Sequence, residues 1–378
     1  MTPLSIYIHI PFCRAKCLYC DFLSYAETDC AAFFDSKVYV DAVCTHIAAT
    51  AADFAGYEVV TVFFGGGTPT VLAAADLARI LGVLHDKFAF SAETCVSIEA
   101  NPETVDAAYL QALRHAGFSR ISFGVQSFDD KHLQAIGRLH TAQRAAEAVH
   151  EAAAAGFEDI NVDLMFALPH QTLADFAKCL DTAASLPITH ISCYALTPED
   201  GTPLADRPDL LDAICNEETD RAMYHLAAKK LAQAGFEHYE ISNWARDGKN
   251  CRHNLGYWTG RQYVGYGAGA HSLIKGRRLA NTADVQGYAA GDFTQTVLEQ
   301  LDLDSEMAEF VILGLRLING IRNDEFGRRF GRGLSLQDVF GDTFARLEQQ
   351  GLVAVDGFGV RLTKAGLDLS NVVFAEFV

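Results

Sequence analysis

The stretch Ile10-Pro11-Phe12-Cys13-Arg14-Ala15-Lys16-Cys17-Leu18-Tyr19-Cys20-Asp21-Phe22 carries three cysteines at C-x3-C-x2-C spacing. It directly follows an apolar run, residues 5–10, that predicts a β-strand. Soft sulfur ligands suit iron–sulfur clusters, so three thiolates this close can hold three irons of a [4Fe-4S] cluster. The fourth iron would lack a protein ligand here, and an open metal position is where a substrate or cofactor binds. The alternatives are three ordinary thiols or a zinc site, but zinc usually takes four ligands in C-x2-C pairs and no second pair follows.

Five further apolar runs follow along the first half of the chain, each separated from the next by a segment of helical periodicity. Such alternation predicts parallel strands with helices outside them. Six units predict an α/β fold, an incomplete (β/α)6 barrel whose chemistry lies at the carboxyl ends of the strands. The predicted strands are 5–10, 59–64, 95–98, 120–125, 160–165 and 188–195, and the predicted helices between them are 34–54, 73–87, 106–115, 142–155 and 173–185.

The remainder of the chain predicts a cover for the barrel and a second domain. A helix is predicted at 217–233, and segments 236–244 and 265–273 are predicted to add sheet or loop that covers the open side. The composition changes near 283–294, which divides the chain into predicted domains 1–290 and 291–378. The second domain is expected to be small, helical and similar to a winged helix. Its predicted elements are helices at 305–318, 326–330 and 337–350 and a hairpin formed by 353–355 and 360–362.

The composition excludes several classes of protein. Of the 378 residues, 50% are hydrophobic and 21% charged, as in a globular protein with a sizeable core. The formal net charge of −18 and the absence of a basic stripe in the C-terminal region disfavour a nucleic-acid partner and a DNA-binding regulator. Residues 1–10 lack the pattern of a secretory segment, and no run reaches the length of a membrane span. We therefore expect a cytoplasmic protein with reduced thiols, in which Cys30 and the other scattered cysteines are not cluster ligands.

Polar and glycine residues cluster just after the predicted strands rather than before them. The segment 65–69, Gly-Gly-Gly-Thr-Pro, follows the second strand, where glycines allow unusual backbone angles and close approach of a ligand. Glu99, Gln126 and Asp163 end or nearly end the next three strands. Each feature has a plainer explanation, because ordinary turns use glycine and polar residues cap helices. Three polar side chains on one face of a barrel nevertheless predict a site for a polar ligand.

The cysteine spacing, its place after the first strand and the glycine segment resemble the radical SAM enzymes, in which S-adenosylmethionine chelates the open iron through its amino and carboxylate groups. The resemblance implies that Cys13, Cys17 and Cys20 hold the [4Fe-4S] cluster. It also implies a set of contacts to S-adenosylmethionine. These are Gly66, Gly67 and Thr68 toward the amino group, Glu99 and Gln126 toward the ribose and amino acid part, Arg138 toward the carboxylate, Asp163 toward the ribose, Tyr7 and Tyr19 near the cofactor, and a backbone contact of Ala195 to adenine.

Segments 7–13, 65–69, 123–127 and 362–377 narrow the resemblance to the coproporphyrinogen dehydrogenase group. Its oxygen-independent dehydrogenases carry a fourth cysteine two residues after the third, where this chain has Phe22, and a long extension before the cysteine motif. Both departures favour the other subgroup, the heme chaperone family HemW. That family shares an H-N-x-x-Y-W motif tied to heme binding, which matches His253, Tyr257 and Trp258 here. An imidazole can be an axial iron ligand and aromatic rings can pack on a macrocycle, although a histidine beside aromatics is more often a hydrogen-bonded core residue.

The resemblance implies a heme chaperone that binds a [4Fe-4S] cluster, S-adenosylmethionine and heme. It would deliver heme to an acceptor hemoprotein, expected to be membrane-associated, and could itself associate peripherally with a membrane. The alternative is an oxygen-independent coproporphyrinogen III dehydrogenase. Such an enzyme receives an electron from a donor and uses a 5′-deoxyadenosyl radical to abstract hydrogen from a propionate. No residue is assigned a catalytic role from the sequence.

Overall fold

The computed structural model of the protein describes residues 1–30, 35–331 and 333–378. Phe34, the first residue of the predicted helix 34–54, lies outside the described residues, and so does the side chain of Cys30. The strands of the described residues are β1 (Thr2–Ile10), β2 (Phe12–Cys13), β3 (Tyr25–Ala26), β4 (Tyr57–Gly66), β5 (Phe90–Ala100), β6 (Arg120–Gln126), β7 (Asp159–Phe166), β8 (His190–Ala195), β9 (Glu237–Glu240), β10 (Asn243–Ala245), β11 (Tyr263–Tyr266), β12 (His271–Ile274), β13 (Arg277–Asn281), β14 (Gln295–Gln300), β15 (Ile321–Arg322), β16 (Val353–Val355) and β17 (Gly359–Leu362).

The helices follow the strands in the alternation that the sequence predicts. Side chains cap several of them, as Asp106 does for the fourth, and Gly117 ends that helix in the left-handed conformation with φ +106°. The α-helices of the described residues are α1 (Glu27–Cys30), α2 (Ser36–Thr50), α3 (Ala74–Lys87), α4 (Ala107–Ala116), α5 (Asp130–Ala135), α6 (Ala142–Ala154), α7 (Leu173–Ser185), α8 (Pro208–Leu211), α9 (Glu217–Gln233), α10 (Arg252–Trp258), α11 (Val285–Ala289), α12 (Leu303–Gly314), α13 (Asn323–Phe330), α14 (Leu336–Gln349), α15 (Lys364–Asp368) and α16 (Ser370–Ala375).

One mixed sheet organises the fold, with strand order β14-β13-β12-β11-β1-β4-β5-β6-β7-β8-β10-β9. Strands β1 and β4–β8 pair in parallel, which confirms the six predicted strands and the α/β barrel. Strand β11 adds a further parallel partner to β1. The segments predicted to add sheet or loop do add strands, one at each side of the parallel strands: β10 pairs antiparallel with β8, and β12 pairs antiparallel with β11.

Alternation along the parallel strands places apolar side chains against the helices and polar side chains in the barrel interior. On β1, for example, Ile6 and Ile8 belong to the main hydrophobic core, whereas Tyr7 lines an interior cavity. The same period of two brings polar residues of β5, β7 and β8 into that cavity. The strand pattern therefore builds a polar barrel interior inside an apolar shell.

A second hydrophobic core lies in the C-terminal region and includes Phe326 and Phe344. The predicted helices at 305–318, 326–330 and 337–350 correspond to α12, α13 and α14, and the predicted hairpin corresponds to β16 and β17. Strand β15 joins that hairpin in a three-stranded sheet, which the sequence pattern did not predict. Since β14 still belongs to the main sheet, the division of the chain at residue 290 stays a prediction. Among the described residues, no helix has both the length and the apolar character needed to cross a membrane.

The second core gives a test of that division. Phe326 is 0% exposed, so Phe326→Ala should lower the free energy of unfolding of the C-terminal region by about 3–5 kcal/mol through the cavity it leaves. If residues 291–378 form a domain, urea unfolding followed by circular dichroism should then show an early separate transition. The matched control is Phe358→Ala, because Phe358 is 72% exposed and its removal should change little. A single transition in the Phe326 variant, shifted as a whole, would contradict the division.

Candidate functional site

The three cysteines of the motif converge on one cavity at the carboxyl ends of the parallel strands. Each sulfur has a polar neighbour: Thr68 Oγ1 donates to Cys13 Sγ at 3.4 Å, Arg138 Nη1 donates to Cys17 Sγ at 3.3 Å, and Ser24 Oγ lies 3.9 Å from Cys20 Sγ. Hydrogen bonds to the ligating sulfurs are one of the means by which proteins set the potential of iron–sulfur clusters. Three converging thiols with polar neighbours therefore fit a [4Fe-4S] cluster.

Cys13 is buried and Cys17 and Cys20 are half-buried, which affects how the thiols ionise. Burial raises the pKa of Cys13 to about 11 and also raises the pKa of Cys20. A thiol with such a pKa is protonated at neutral pH, and coordination to a metal cation removes that proton. These thiols are therefore suited to metal ligation rather than to acting as free nucleophiles.

Backbone hydrogen bonds connect the glycine segment after β4 to the cysteine loop. The Gly67 amide donates to the Ile10 carbonyl at 2.8 Å, and the Thr68 amide donates to the Phe12 carbonyl at 2.7 Å. A Cβ atom at Gly67 would lie 2.6 Å from the Phe12 carbonyl oxygen, so this approach requires glycine. The segment therefore fixes the cysteine loop against the sheet at the rim of the cavity.

Arg138 is half-buried and links three parts of the site. Besides Cys17, its Nη2 donates to Asn101 Oδ1 at 2.6 Å and to the Gly124 carbonyl. Burial lowers the pKa of Arg138, but its neighbours, Tyr19 first among them, raise it more strongly, so the guanidinium stays charged. Arg138 is therefore bonded into the site by both terminal nitrogens of its guanidinium.

Two carboxyl groups line both this cavity and the interior cavity of the barrel. Burial raises the pKa of Glu99 to about 8, with the nearby charge of Asp163 adding to the effect, and Glu99 Oε2 accepts the Gly66 amide at 3.2 Å. Burial also raises the pKa of Asp163, opposed by hydrogen bonds that include those from Ser122 and Asn161. Perturbed carboxyl groups in a shared cavity are typical of functional sites.

Most of the other predicted cofactor residues also lie at this cavity. Gln126 has φ +65°, a left-handed backbone rarely adopted by a residue other than glycine, and its Oε1 accepts the Tyr194 hydroxyl at 3.2 Å. Tyr19 lines the cavity, whereas Tyr7 lines the neighbouring interior cavity. Ala195 does not line this cavity but the neighbouring one between the barrel and the C-terminal helices, which shares Tyr194 with it, so its contact to adenine stays a prediction.

Among the site residues that sequence reasoning missed, Asn101 and Tyr194 hold other predicted residues in place. Asn101 donates through Nδ2 to Thr68 Oγ1 at 3.0 Å and accepts from Arg138, so it connects the glycine segment to the guanidinium. Tyr194 lines the cavity and holds Gln126. Asn101 follows Glu99 at a strand end, which is the position that could have identified it, while Tyr194 lies on a strand and gave no signal.

The H-N-x-x-Y-W motif forms helix α10 and lies on the interior cavity rather than at the cysteines. His253 is 2% exposed, with Nδ1 at 2.9 Å from Thr61 Oγ1 and Nε2 at 3.0 Å from the Tyr257 hydroxyl. Trp258 points elsewhere, because the guanidinium of Arg316 on the C-terminal side lies 4.3 Å from its ring. Successive residues on a helix differ by about 100° in direction, so Tyr257 and Trp258 do not form one flat surface in this conformation.

Comparisons with known proteins agree with this geometry. The model of the radical SAM superfamily matches residues 7–183, and the model of the HemN C-terminal domain matches residues 301–369. Among solved structures, coproporphyrinogen III oxidase (HemN) from Escherichia coli, a radical SAM enzyme, superposes with a TM-score of 0.85 at 25% identity, covering 100% of this chain and 90% of that chain. The fold and the site thus define a radical SAM protein.

Relatives with curated names identify a family within the radical SAM superfamily. Heme chaperone HemW of Bacillus subtilis (strain 168) is 35% identical over 385 residues, which cover 99% of each chain. Heme chaperone HemW of Escherichia coli (strain K12) is 34% identical over 331 residues, which cover 86% of each chain. The chain belongs to the HemW family within the radical SAM superfamily.

The raised pKa of Glu99 predicts a pH dependence of stability. Its pKa in the folded state is about 8, above the ordinary value of about 4.3. The folded state therefore binds more protons between these values, and stability falls as the pH rises through that window. Glu99→Gln removes this loss and keeps an oxygen for the Gly66 amide. The melting temperature of the variant relative to the unaltered protein should rise between roughly pH 5 and pH 9, measured on metal-free protein. A difference that is constant with pH would contradict the predicted ionisation.

Proposed function

We propose that the protein is a heme chaperone that carries a [4Fe-4S] cluster and binds S-adenosylmethionine and heme. The observation that carries the proposal is the convergence of Cys13, Cys17 and Cys20 with Arg138 and Glu99 on one cavity, in a chain similar over its full length to heme chaperones HemW. The chain is 35% identical to heme chaperone HemW of Bacillus subtilis but 25% identical to HemN. Phe22, which stands where the dehydrogenases have a fourth cysteine, is 65% exposed beside the cavity.

The residues of the cavity would divide the binding of the two cofactors. The three thiols would hold the cluster, and the open iron would accept the amino acid part of S-adenosylmethionine. Arg138 supplies a fixed positive charge suited to a carboxylate, and Glu99 and Asp163 supply hydrogen-bond acceptors suited to ribose hydroxyls or an amino group. When bound, the cluster and S-adenosylmethionine supply reductive chemistry, while the protein supplies orientation and shielding from water.

Heme and its acceptor are the further partners of the proposed function. The acceptor would be a hemoprotein, expected at a membrane, and the protein would work from the cytoplasm, with peripheral attachment to that membrane. An electron donor is needed only if S-adenosylmethionine is cleaved. The assignment of His253, Tyr257 and Trp258 to heme stays a prediction, since both ring nitrogens of His253 are already hydrogen-bonded.

A second candidate function is oxygen-independent coproporphyrinogen III dehydrogenase. The observation that favours it is the structural match to HemN with a TM-score of 0.85, together with a cofactor cavity whose predicted ligands lie close to one another. The two functions differ in whether a tetrapyrrole is bound and passed on or is oxidised.

The cluster assignment predicts the effect of removing single thiols. Cys13→Ala, Cys17→Ala and Cys20→Ala should each lose the cluster and its brown absorption, because three ligands are needed for a site with one open iron. Anaerobic reconstitution should give about four irons per chain in the unaltered protein. Cys44→Ala is the matched control, since Cys44 packs in the main core on α2, and it should keep full iron content. Equal iron loss in the control would contradict the ligand assignment.

The chaperone and the dehydrogenase are separated by two assays on the same reconstituted protein. Heme titration should give a Soret band shifted from that of free heme, because an axial ligand and burial alter the iron environment. Incubation with coproporphyrinogen III, a reductant and S-adenosylmethionine should yield no protoporphyrinogen, with E. coli HemN as the positive control. Sustained product formation would replace the chaperone proposal with the dehydrogenase, and absence of heme binding would remove the chaperone proposal as well.

A further inference from the structure

The hydrogen bonds around His253 define its tautomer. Thr61 Oγ1 donates its proton to Ser5 Oγ at 2.9 Å, so it accepts from His253 Nδ1–H at 2.9 Å. A neutral imidazole has one donor and one acceptor nitrogen, which leaves Nε2 to accept the Tyr257 hydroxyl proton at 3.0 Å. Burial lowers the pKa of His253 to about 3, with the charges of Arg261 and Arg120 adding to the effect, so the ring is neutral.

This tautomer leaves no nitrogen lone pair free for iron. Ligation by imidazole uses the lone pair of the unprotonated nitrogen, and here that lone pair accepts the Tyr257 hydroxyl. The ring is also 2% exposed, and the cavity beside it is lined by residues of six strands and of α10. An axial bond to heme through Nε2 would first require the hydrogen bond from the Tyr257 hydroxyl to break.

A continuous column of side chains instead connects His253 to the cofactor cavity. The His253 ring lies 5.0 Å from the Phe63 ring, and Phe63 stacks on Tyr7 at 6.4 Å with an interplanar angle of 24°. The Tyr7 hydroxyl lies 3.0 Å from His9 Nδ1. The His9 ring in turn packs against Gly66, where a Cβ atom would lie 2.4 Å from it.

The end of this column is the cofactor site. Gly66 donates its amide to Glu99, and Glu99 lines both the interior cavity and the cavity of the cysteines. A displacement of His253 would therefore reach Gly66 through these ring contacts and the hydrogen bond between Tyr7 and His9. Helix α10 carries His253 and therefore supports the column at the end away from Gly66.

We propose that His253 is a positioning residue for the S-adenosylmethionine site, held by Thr61 and Tyr257 to set the column Phe63–Tyr7–His9 against the glycine segment, and that it is not a heme ligand. The proposal rests on the cofactor cavity of the proposed function but not on its heme binding. It gives the H-N-x-x-Y-W motif a role inside the barrel.

The test measures affinity for S-adenosylmethionine and the Soret band in the same reconstituted full-length variants. His253→Ala should weaken S-adenosylmethionine binding about tenfold, the size of effect typical for residues that orient ligands from the outer shell. His253→Gln should restore part of that affinity, because an amide can still bond to Thr61 and Tyr257. The Soret band should be unchanged in both variants, and iron content should match the unaltered protein.

Tyr257→Phe most clearly separates a role of His253 as a heme ligand from a role in positioning the S-adenosylmethionine site. It removes the hydroxyl from His253 Nε2, so a ligand role predicts tighter heme binding and an altered Soret band. The positioning role predicts weaker S-adenosylmethionine binding with the same Soret band. The matched control is His46→Ala, because His46 is equally buried and bonded to the Tyr288 hydroxyl but lies on α2, outside the column. It should leave both readouts unchanged.

Each outcome decides the proposal. A changed Soret band in His253→Ala, or S-adenosylmethionine affinity equal to that of the unaltered protein in both His253→Ala and Tyr257→Phe, overturns it. If His253→Ala loses iron through misfolding, Tyr257→Phe decides alone. Absence of heme binding by the unaltered protein would contradict the chaperone function. The S-adenosylmethionine measurements would still test the positioning role of His253.

Discussion

One half-buried guanidinium joins the parts of the site that the chain brings together from distant positions. Arg138 touches the cysteine loop at Cys17, the end of β5 through Asn101, and β6 at the Gly124 carbonyl. A guanidinium offers five donors in a rigid plane, so one side chain can fix the relative positions of three segments. Its Nε atom is buried without a hydrogen-bond partner among the described residues. The guanidinium nevertheless keeps its positive charge. Removing a charge from water costs free energy unless a partner or a bound ligand compensates for it.

The backbone around Arg138 is held in conformations that few residues can adopt. Gly66 has φ +110°, which residues with a side chain rarely adopt, and Gln126 takes a left-handed conformation at the irregular end of β6. Such strain persists only where the surrounding structure enforces it, and it concentrates at binding sites. Both positions lie at the carboxyl ends of parallel strands, where a barrel of this type places its chemistry.

The sequence was sufficient for the barrel because periodicity and glycine stops are local signals. It could not assign β11 to the edge of β1, since that pairing joins segments about 260 residues apart and depends on tertiary packing. It also could not show that Arg138 is shielded, because the exposure of a loop residue depends on what folds over it. The split between Tyr257 and Trp258 was in principle readable, as adjacent residues on a helix point in different directions, but only once the segment was recognised as a helix.

The buried carboxyl groups in the barrel interior indicate that cofactor binding is part of the function, independently of heme binding. Glu99 and Asp163 both have raised pKa values because burial disfavours their charge, so each costs stability while no ligand is bound. A carrier that only held heme on its surface would gain stability from apolar residues at these positions. The chain instead surrounds them with Ser122, Asn161 and the Gly66 amide as hydrogen-bond donors. A cavity maintained at this expense favours a protein that binds a polar ligand in its barrel over one that uses the barrel only as a scaffold.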